Sequence, residues 1–219
     1  MEEVKRKRPY DSSGRTARAR RSQEAILDEA ERQFLAGGYA ATTVVAIADA
    51  VGVSVETIYK RFGSKSGLVR AIFDRGLAGR GLVPAERRSD QMRAQQTDPR
   101  SIMRQWGMLT AEVGSVVTPI RQLIRSASVT DPDMATLLKD SDEERLERMR
   151  GHARFLKDRG HLRTAVTVAE ATDLLWTCSS VELYELLVLR RGWSHDRFAR
   201  FVTRLMIASL LPGTDSGDA

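Results

Sequence analysis

The sequence predicts an all-α protein, with a small N-terminal helical module followed by a larger C-terminal one. Three observations carry this. Apolar residues recur at intervals of three and four along most of the chain, while alternating runs rich in β-branched residues are missing. Capping hydroxyls and carboxylates stand ahead of the apolar sets, and glycines stand behind them. Between residues 76 and 98 the pattern dissolves into Gly76, Gly79, Gly81, Pro84 and charged or amide side chains, which predicts a loop or linker between the modules.

Each element follows in order. Ile26, Ala30 and Phe34 fall at i, i+4 and i+8, with Leu27 widening the stripe, and Gly37-Gly38 ends this first helix in a left-handed cap. Thr42 or Thr43 caps a second helix holding Val44, Ile47, Ala48 and Val51, which Gly52 stops. Ser54 caps a third with Ile58 and Phe62 inward, and Ser64 a fourth with Leu68, Ile72 and Phe73 inward. After the linker, Asp98-Pro99 restarts a helix in cap-then-proline order. Breaks are expected near Thr118-Pro119 and Asp131-Pro132. A charged stretch over about 133–159 ends at Arg159-Gly160. Helices over about 168–190 and 195–211 close the chain, separated by Gly192-Trp193-Ser194.

Composition narrows the function classes. The 219 residues suffice for two modules. No apolar run approaches the ~18–20 residues of a membrane span, and no apolar stretch follows the basic N-terminus as in a secretory signal. The single cysteine, Cys178, excludes an internal disulfide and cannot alone build a zinc site, so a reducing, cytoplasmic compartment is expected. His152, His161 and His195 are too scattered for metal-ligand spacing and are expected at the surface or as caps. No cofactor or metal is expected, and Cys178 reads as inert packing. Charge is informative by location: residues 1–21 carry eight basic and three acidic side chains, five of the net six positive charges. A basic arm on a nearly neutral body suits a polyanion, nucleic acid before membrane, or serves as a solubilising tail.

Two short helices joined by Gly52-Val53-Ser54 match the helix-turn-helix. Ala48 is small where the helices cross, and Ile47, Val51, Val53 and Ile58 make their shared core. A helix this short depends on packing for stability, and rigid presentation is what a DNA groove requires. Residues 42–74, TTVVAIADAVGVSVETIYKRFGSKSGLVRAIFD, resemble the DNA-binding segment of the tetracycline-repressor (TetR) family: Ala48, Gly52-Val53-Ser54, Thr57-Ile58-Tyr59, Phe62, Ser64-Lys65 and Leu68 all match its pattern. The resemblance covers roughly residues 16–75. It implies a basic flexible arm over 1–15, a three-helix DNA-binding domain over 16–75 and a helical effector-binding and dimerisation domain over 76–219.

By that resemblance Tyr59, Lys60 and Lys65 contact phosphate, Thr57 a base or phosphate, and Thr43 and Ser54 belong to the same DNA-binding set. Arg61 touches phosphate or reaches guanine, and Val55 meets a thymine methyl or is simply exposed. Lys65 opens a helix, where the macrodipole disfavours a cation by a few tenths to ~1 kcal/mol; a nearby phosphate explains its place better than stability does. Glu56 departs from the family's small residue. It either complements the macrodipole or accepts from cytosine N4.

In the C-terminal module the resemblance implies dimerisation and a small, apolar or aromatic effector. Leu183, Leu186, Phe198, Phe201 and Leu205, on helices apolar on more than one face, are the expected dimer interface, with a fully internal core as the competing role. Met103, Trp106, Phe155 and Trp176 are the candidate pocket lining, with plain core as the competing role. No Walker loop, GxSxG or His-Glu-x-x-His is present, which argues against an enzyme. The sequence therefore points to a homodimeric regulator, most simply a repressor released from a palindromic operator by a small molecule, with half-sites about 34–36 Å or slightly more apart. An architectural DNA-binding protein, or a helical enzyme with an appended helix-turn-helix, are the alternatives.

Overall fold

The computed structural model describes residues 13–79 and 83–213, with side chains from residue 17 onward. Most of the basic arm lies outside the described residues, as does Gly81. All regular structure among the described residues is helical, as expected. The chain divides into two compact units, residues 1–68 and 69–219.

In the first unit, α1 (Ser13–Ala41) bends at Gly38, whose φ of 80° and ψ of 168° leave the helical region. The carbonyls near that bend are met by buried Thr42, whose hydroxyl donates to Gly38 O at 2.9 Å and Gln33 O at 3.1 Å. The basic residues Arg18, Arg20 and Arg21 are exposed on α1, so the end of the basic stretch is helix rather than arm. Helix α2 (Val44–Val51) starts on the Thr43 cap and stops at Gly52, whose left-handed φ of 68° any Cβ would oppose. Helix α3 (Val55–Phe62) starts on Ser54, and α4 (Lys65–Ala78) follows a two-residue turn. Ile26, Leu27, Ala30, Phe34, Val44, Ile47, Ala48, Ile58 and Leu68 are the buried apolar set of this unit.

In the second unit, α6 (Pro99–Ala127) and α10 (His195–Leu210) pack closely, as do α7 (Pro132–Asp158) and α8 (Val168–Cys178). Asp98 and Asp131 cap α6 and α7 through carboxylates that accept backbone N–H groups, with proline next in each case. Three expectations fail. The linker contains a helix, α5 (Ala85–Gln95). Pro119 does not break α6: Val117, Thr118 and Ile120 are buried on both sides of it, and Thr118 Oγ1 donates to Gly114 O at 2.6 Å. The helix expected over 168–190 is interrupted at Ser179-Ser180, after which α9 (Val181–Tyr184) runs into a wide π-helical turn, Glu185–Arg190. No helix among the described residues is long and apolar enough to cross a membrane.

Candidate nucleic-acid interface and internal cavity

Helix α3 is fixed at both ends by its own residues. Ser54 Oγ accepts from Thr57 N–H at 3.2 Å and lies 2.8 Å from Thr57 Oγ1, so both hydroxyls are engaged at the helix start. Gly63 N–H donates to Tyr59 O at 2.8 Å and closes the far end. The turn to α4 depends on Gly67, because a Cβ there would stand 1.9 Å from Phe62 O. Ile58 is fully buried and Phe62 partly so, which seats one stripe of α3. The remaining surface presents Glu56, Thr57, Tyr59, Lys60 and Arg61, all exposed, with Val55 half-buried at the start. Tyr59 is 47% exposed, a large aromatic ring left in solvent.

The other residues of the expected set lie at helix starts. Thr43 caps α2, accepting from Ala46 N–H at 3.1 Å, and Lys65 opens α4. Two contacts were not foreseen. The Arg61 guanidinium donates to Gln23 Oε1 on α1 at 2.8 and 3.2 Å, which holds it along the body of the unit. Lys65 Nζ sits 4.3 Å above the ring of Tyr39, which itself stacks on Phe34 at 5.9 Å. Neither Gln23 nor Tyr39 belongs to an apolar period, so nothing in the pattern flagged them. Glu56 is held by no hydrogen bond or ion pair among the described residues.

The second unit encloses a cavity of about 1090 Å³. Its apolar wall includes Trp106, Leu109 and Val113 of α6, Met149 of α7, Leu175 of α8 and Met206 of α10. Of the four expected lining residues only Trp106 faces it. Met103 is fully buried in the core beside Ile102. Phe155 packs against that core, 5.6 Å from each of the Arg93 and Arg159 guanidiniums, and Trp176 lies 4.5 Å beneath that of Arg145. Periodicity found these side chains but could not separate core from cavity wall.

His152, expected at the surface or as a cap, is instead buried on the cavity wall, its ring 4.4 Å from that of Trp106. Burial, then the nearby Arg93 and Arg148, push its pKa down to about 3, so the imidazole is neutral. Its Nε2 lies 3.4 Å from Ser89 Oγ of α5. Tyr184 also lines the cavity, with its hydroxyl 3.3 Å from the His195 ring. Cys178 is buried and its thiol is pushed up to about 11 by burial, which keeps it protonated and unreactive. Among the described residues no group of His, Cys, Asp and Glu is placed to hold a metal ion.

The expected dimer set divides. Phe198 is fully buried in the chain's own core, edge-on to Tyr184 at 5.1 Å, so it serves the interior rather than an outer face. Leu183, Phe201 and Leu205 are half-buried. Leu186 is 51% exposed, and with it Leu189 at 53%, a neighbour the periodicity did not single out.

Comparison with known proteins places these features. Residues 26–72 match the family model for bacterial regulatory proteins of the tetR family. The chain is 40% identical over 52 residues to the HTH-type transcriptional repressor ComR of Escherichia coli, 24% of this chain and 25% of ComR. It is 35% identical over 71 residues to the HTH-type transcriptional regulator YvkB of Bacillus subtilis, 32% of this chain and 38% of YvkB. The matches thus span less than half the length of either relative. Among solved structures, the SmeT–triclosan complex shares the fold with a TM-score of 0.70 at 19% identity, covering 89% of this chain and 93% of that one. Residues 26–72 thus match the DNA-binding segment of bacterial regulatory proteins of the tetR family, and the chain shares its helical fold with the SmeT structure.

Proposed function

We propose that the protein is a homodimeric, sequence-specific DNA-binding transcriptional regulator of the cytoplasm, a repressor that a small molecule releases from a palindromic operator. The observation that carries this reading is α3: a capped, eight-residue helix, seated by Ile58, whose outer surface carries Glu56, Thr57, Tyr59 and Lys60. Such a surface suits a major groove, with phosphate contacts setting the pose and one or two side chains reading base edges. In this reading residues 16–75 bind DNA and residues 76–219 bind the effector and dimerise. Exposed Leu186 and Leu189, together with half-buried Leu183, Phe201 and Leu205, supply apolar surface for a second copy. The cavity supports the effector, and triclosan in the related SmeT structure is in keeping with it.

The test is selection from random DNA by the purified protein, followed by affinity measurements on the enriched sequence. Lys60→Ala is expected to weaken binding to all sequences alike and lower the slope of log affinity against log salt by about one. Glu56→Ala relaxes preference at one position by ~1–3 kcal/mol if the carboxylate reads cytosine, and changes all positions equally if it only stabilises the helix. Diffuse protection without an enriched palindrome would favour an architectural role and end the regulator reading.

A further inference from the structure

The cavity wall carries three buried nitrogens that no protein group satisfies: Trp106 Nε1, His152 Nδ1 and Arg93 Nε. They come from three helices, α6, α7 and α5, and all three residues line the cavity. The Trp106 and His152 rings are 4.4 Å apart. Arg93 lies one helical turn beyond Ser89, whose hydroxyl meets His152 Nε2, and its guanidinium reaches over Phe155, three residues after His152. Indole Nε1 and guanidinium Nε can only donate. When the Ser89 hydroxyl donates to Nε2, His152 carries its proton on Nδ1 and offers a third donor. Buried donors are ordinarily paired, so three orphans on one wall mark where a polar atom of a ligand belongs.

Charge on the same wall narrows the chemistry. Five guanidiniums, those of Arg70, Arg93, Arg121, Arg145 and Arg148, stand against six carboxylates. Arg93 pairs with Asp90, Arg148 with Glu86, and Arg70 with Glu144 at 2.8 Å. Arg121 and Arg145 both pair with Asp142, at 2.5 and 3.4 Å. No net positive charge is left to favour an anion. The rest of the wall, with Trp106, Leu109, Val113, Leu175 and Met206, suits a flat apolar body.

We propose that the cavity takes an uncharged, largely apolar ligand with one hydrogen-bond acceptor oxygen, held by the Trp106, Arg93 and His152 nitrogens. This rests on the reading of the cavity as the effector site and names the class of effector. An acceptor oxygen supplies a partner for these donors, while an isosteric hydrocarbon buries the same area and leaves them all unpaired.

Three probes of equal size separate the possibilities: 2-acetylnaphthalene, 2-isopropylnaphthalene and 2-naphthoate, titrated into the full-length protein by calorimetry. The ketone is expected to bind at least about tenfold more tightly than the hydrocarbon, with the carboxylate weaker than the ketone. The ketone, and not the hydrocarbon, is expected to shift the indole N–H resonance of Trp106, recognised as the one kept in Trp176→Phe and Trp193→Phe. That readout uses no change in the site itself. Trp106→Phe should then lose the ketone's advantage and leave hydrocarbon affinity unchanged. Equal binding of ketone and hydrocarbon, tightest binding of the carboxylate, no binding of any probe, or an unmoved Trp106 resonance would each overturn the proposal. Release of the protein's own enriched DNA is measured separately. Ketone binding without release supports the ligand class and removes the effector reading; release by the hydrocarbon as readily as by the ketone keeps the effector reading and removes the ligand class.

Discussion

Lys65 is the residue whose meaning changes most between sequence and structure. A cation at a helix start opposes the macrodipole by a few tenths to ~1 kcal/mol, which by itself points outward to a phosphate. The ring of Tyr39, 4.3 Å below the ammonium, returns about 0.5–1 kcal/mol without any partner. The lysine is therefore already compensated in the free protein, and a phosphate contact must be shown by DNA affinity rather than inferred from cost. A double-mutant cycle between Tyr39→Leu and Lys65→Met should give a coupling of about 0.5–1 kcal/mol in urea melts; additive changes would rule the contact out as a stabiliser. Gly67 has the opposite character, fixed by a neighbour that cannot move aside. Gly67→Ala would place a methyl 1.9 Å from Phe62 O, so a loss of about 1–3 kcal/mol is expected. An unchanged urea midpoint would mean the turn between α3 and α4 relaxes freely. Ser54, Gly52 and Ile58 were legible in the sequence because caps, turns and core obey local rules. The Gln23–Arg61 bond was not, because it joins residues 38 apart.

At the scale of elements, α5 shows where periodicity loses its grip. Its buried positions are Ala85 and Ser89, with Met92 half-buried, so the inward stripe is real but almost without hydrophobic signal. Polar contacts supply what apolar area does not. Arg88 donates to both Glu112 carboxylate oxygens at 2.6 and 2.8 Å, and Glu86 pairs with Arg148. Residues such as Ala, Glu, Arg, Gln and Met also favour helix by propensity, a cue weaker than Gly76, Gly79 and Pro84 beside them. Replacing Arg88 with Met should lower amide protection in α5 about tenfold while leaving α6 and α10 unchanged in hydrogen exchange. Equal loss in all three helices would show that α5 is no separate unit of stability. The interruption at Ser179-Ser180 did carry a readable sign. Ser180 Oγ accepts from Leu183 N–H at 3.2 Å, a helix start hidden inside an apolar run.

For the molecule as a whole, acid sensitivity follows from a buried base and a paired acid. His152 has an ordinary pKa of 6.5 when unfolded and about 3 when folded. Between those values the unfolded chain binds a proton that the folded chain refuses, so stability falls as pH falls. At about pH 5 the loss is about 2 kcal/mol. Urea midpoints should decline from neutral pH to about pH 5 in the native sequence and decline less in His152→Phe; parallel curves would show that His152 titrates normally. Glu185 acts lower on the scale. Hydrogen bonds from Arg125 and Arg190 hold its pKa at about 2, so its contribution is complete above 4.5 and disappears as pH falls from there through about 2. The two-module, all-helical plan was legible because helix caps and apolar stripes repeat along the chain. The cavity was not, since its wall is assembled from residues of separate helices whose spacing in sequence records nothing of their meeting.

The wide turn that follows α9 has a consequence for chain length. Glu185 Oε1 accepts from Arg190 Nη2 at 2.5 Å across a spacing of five. In an ordinary α-helix, five residues bring the chain about 140° around the axis and point such a pair apart, whereas an i→i+5 turn brings them to one side. At a spacing of five, the ion pair thus reports the wide turn: it is made only while the backbone keeps its i→i+5 geometry. Deleting Leu189 would close an ordinary turn over the shortened segment and bring the two charges to the i,i+4 spacing that an α-helix pairs. The cost of that deletion would record how firmly this protein keeps its extra residue.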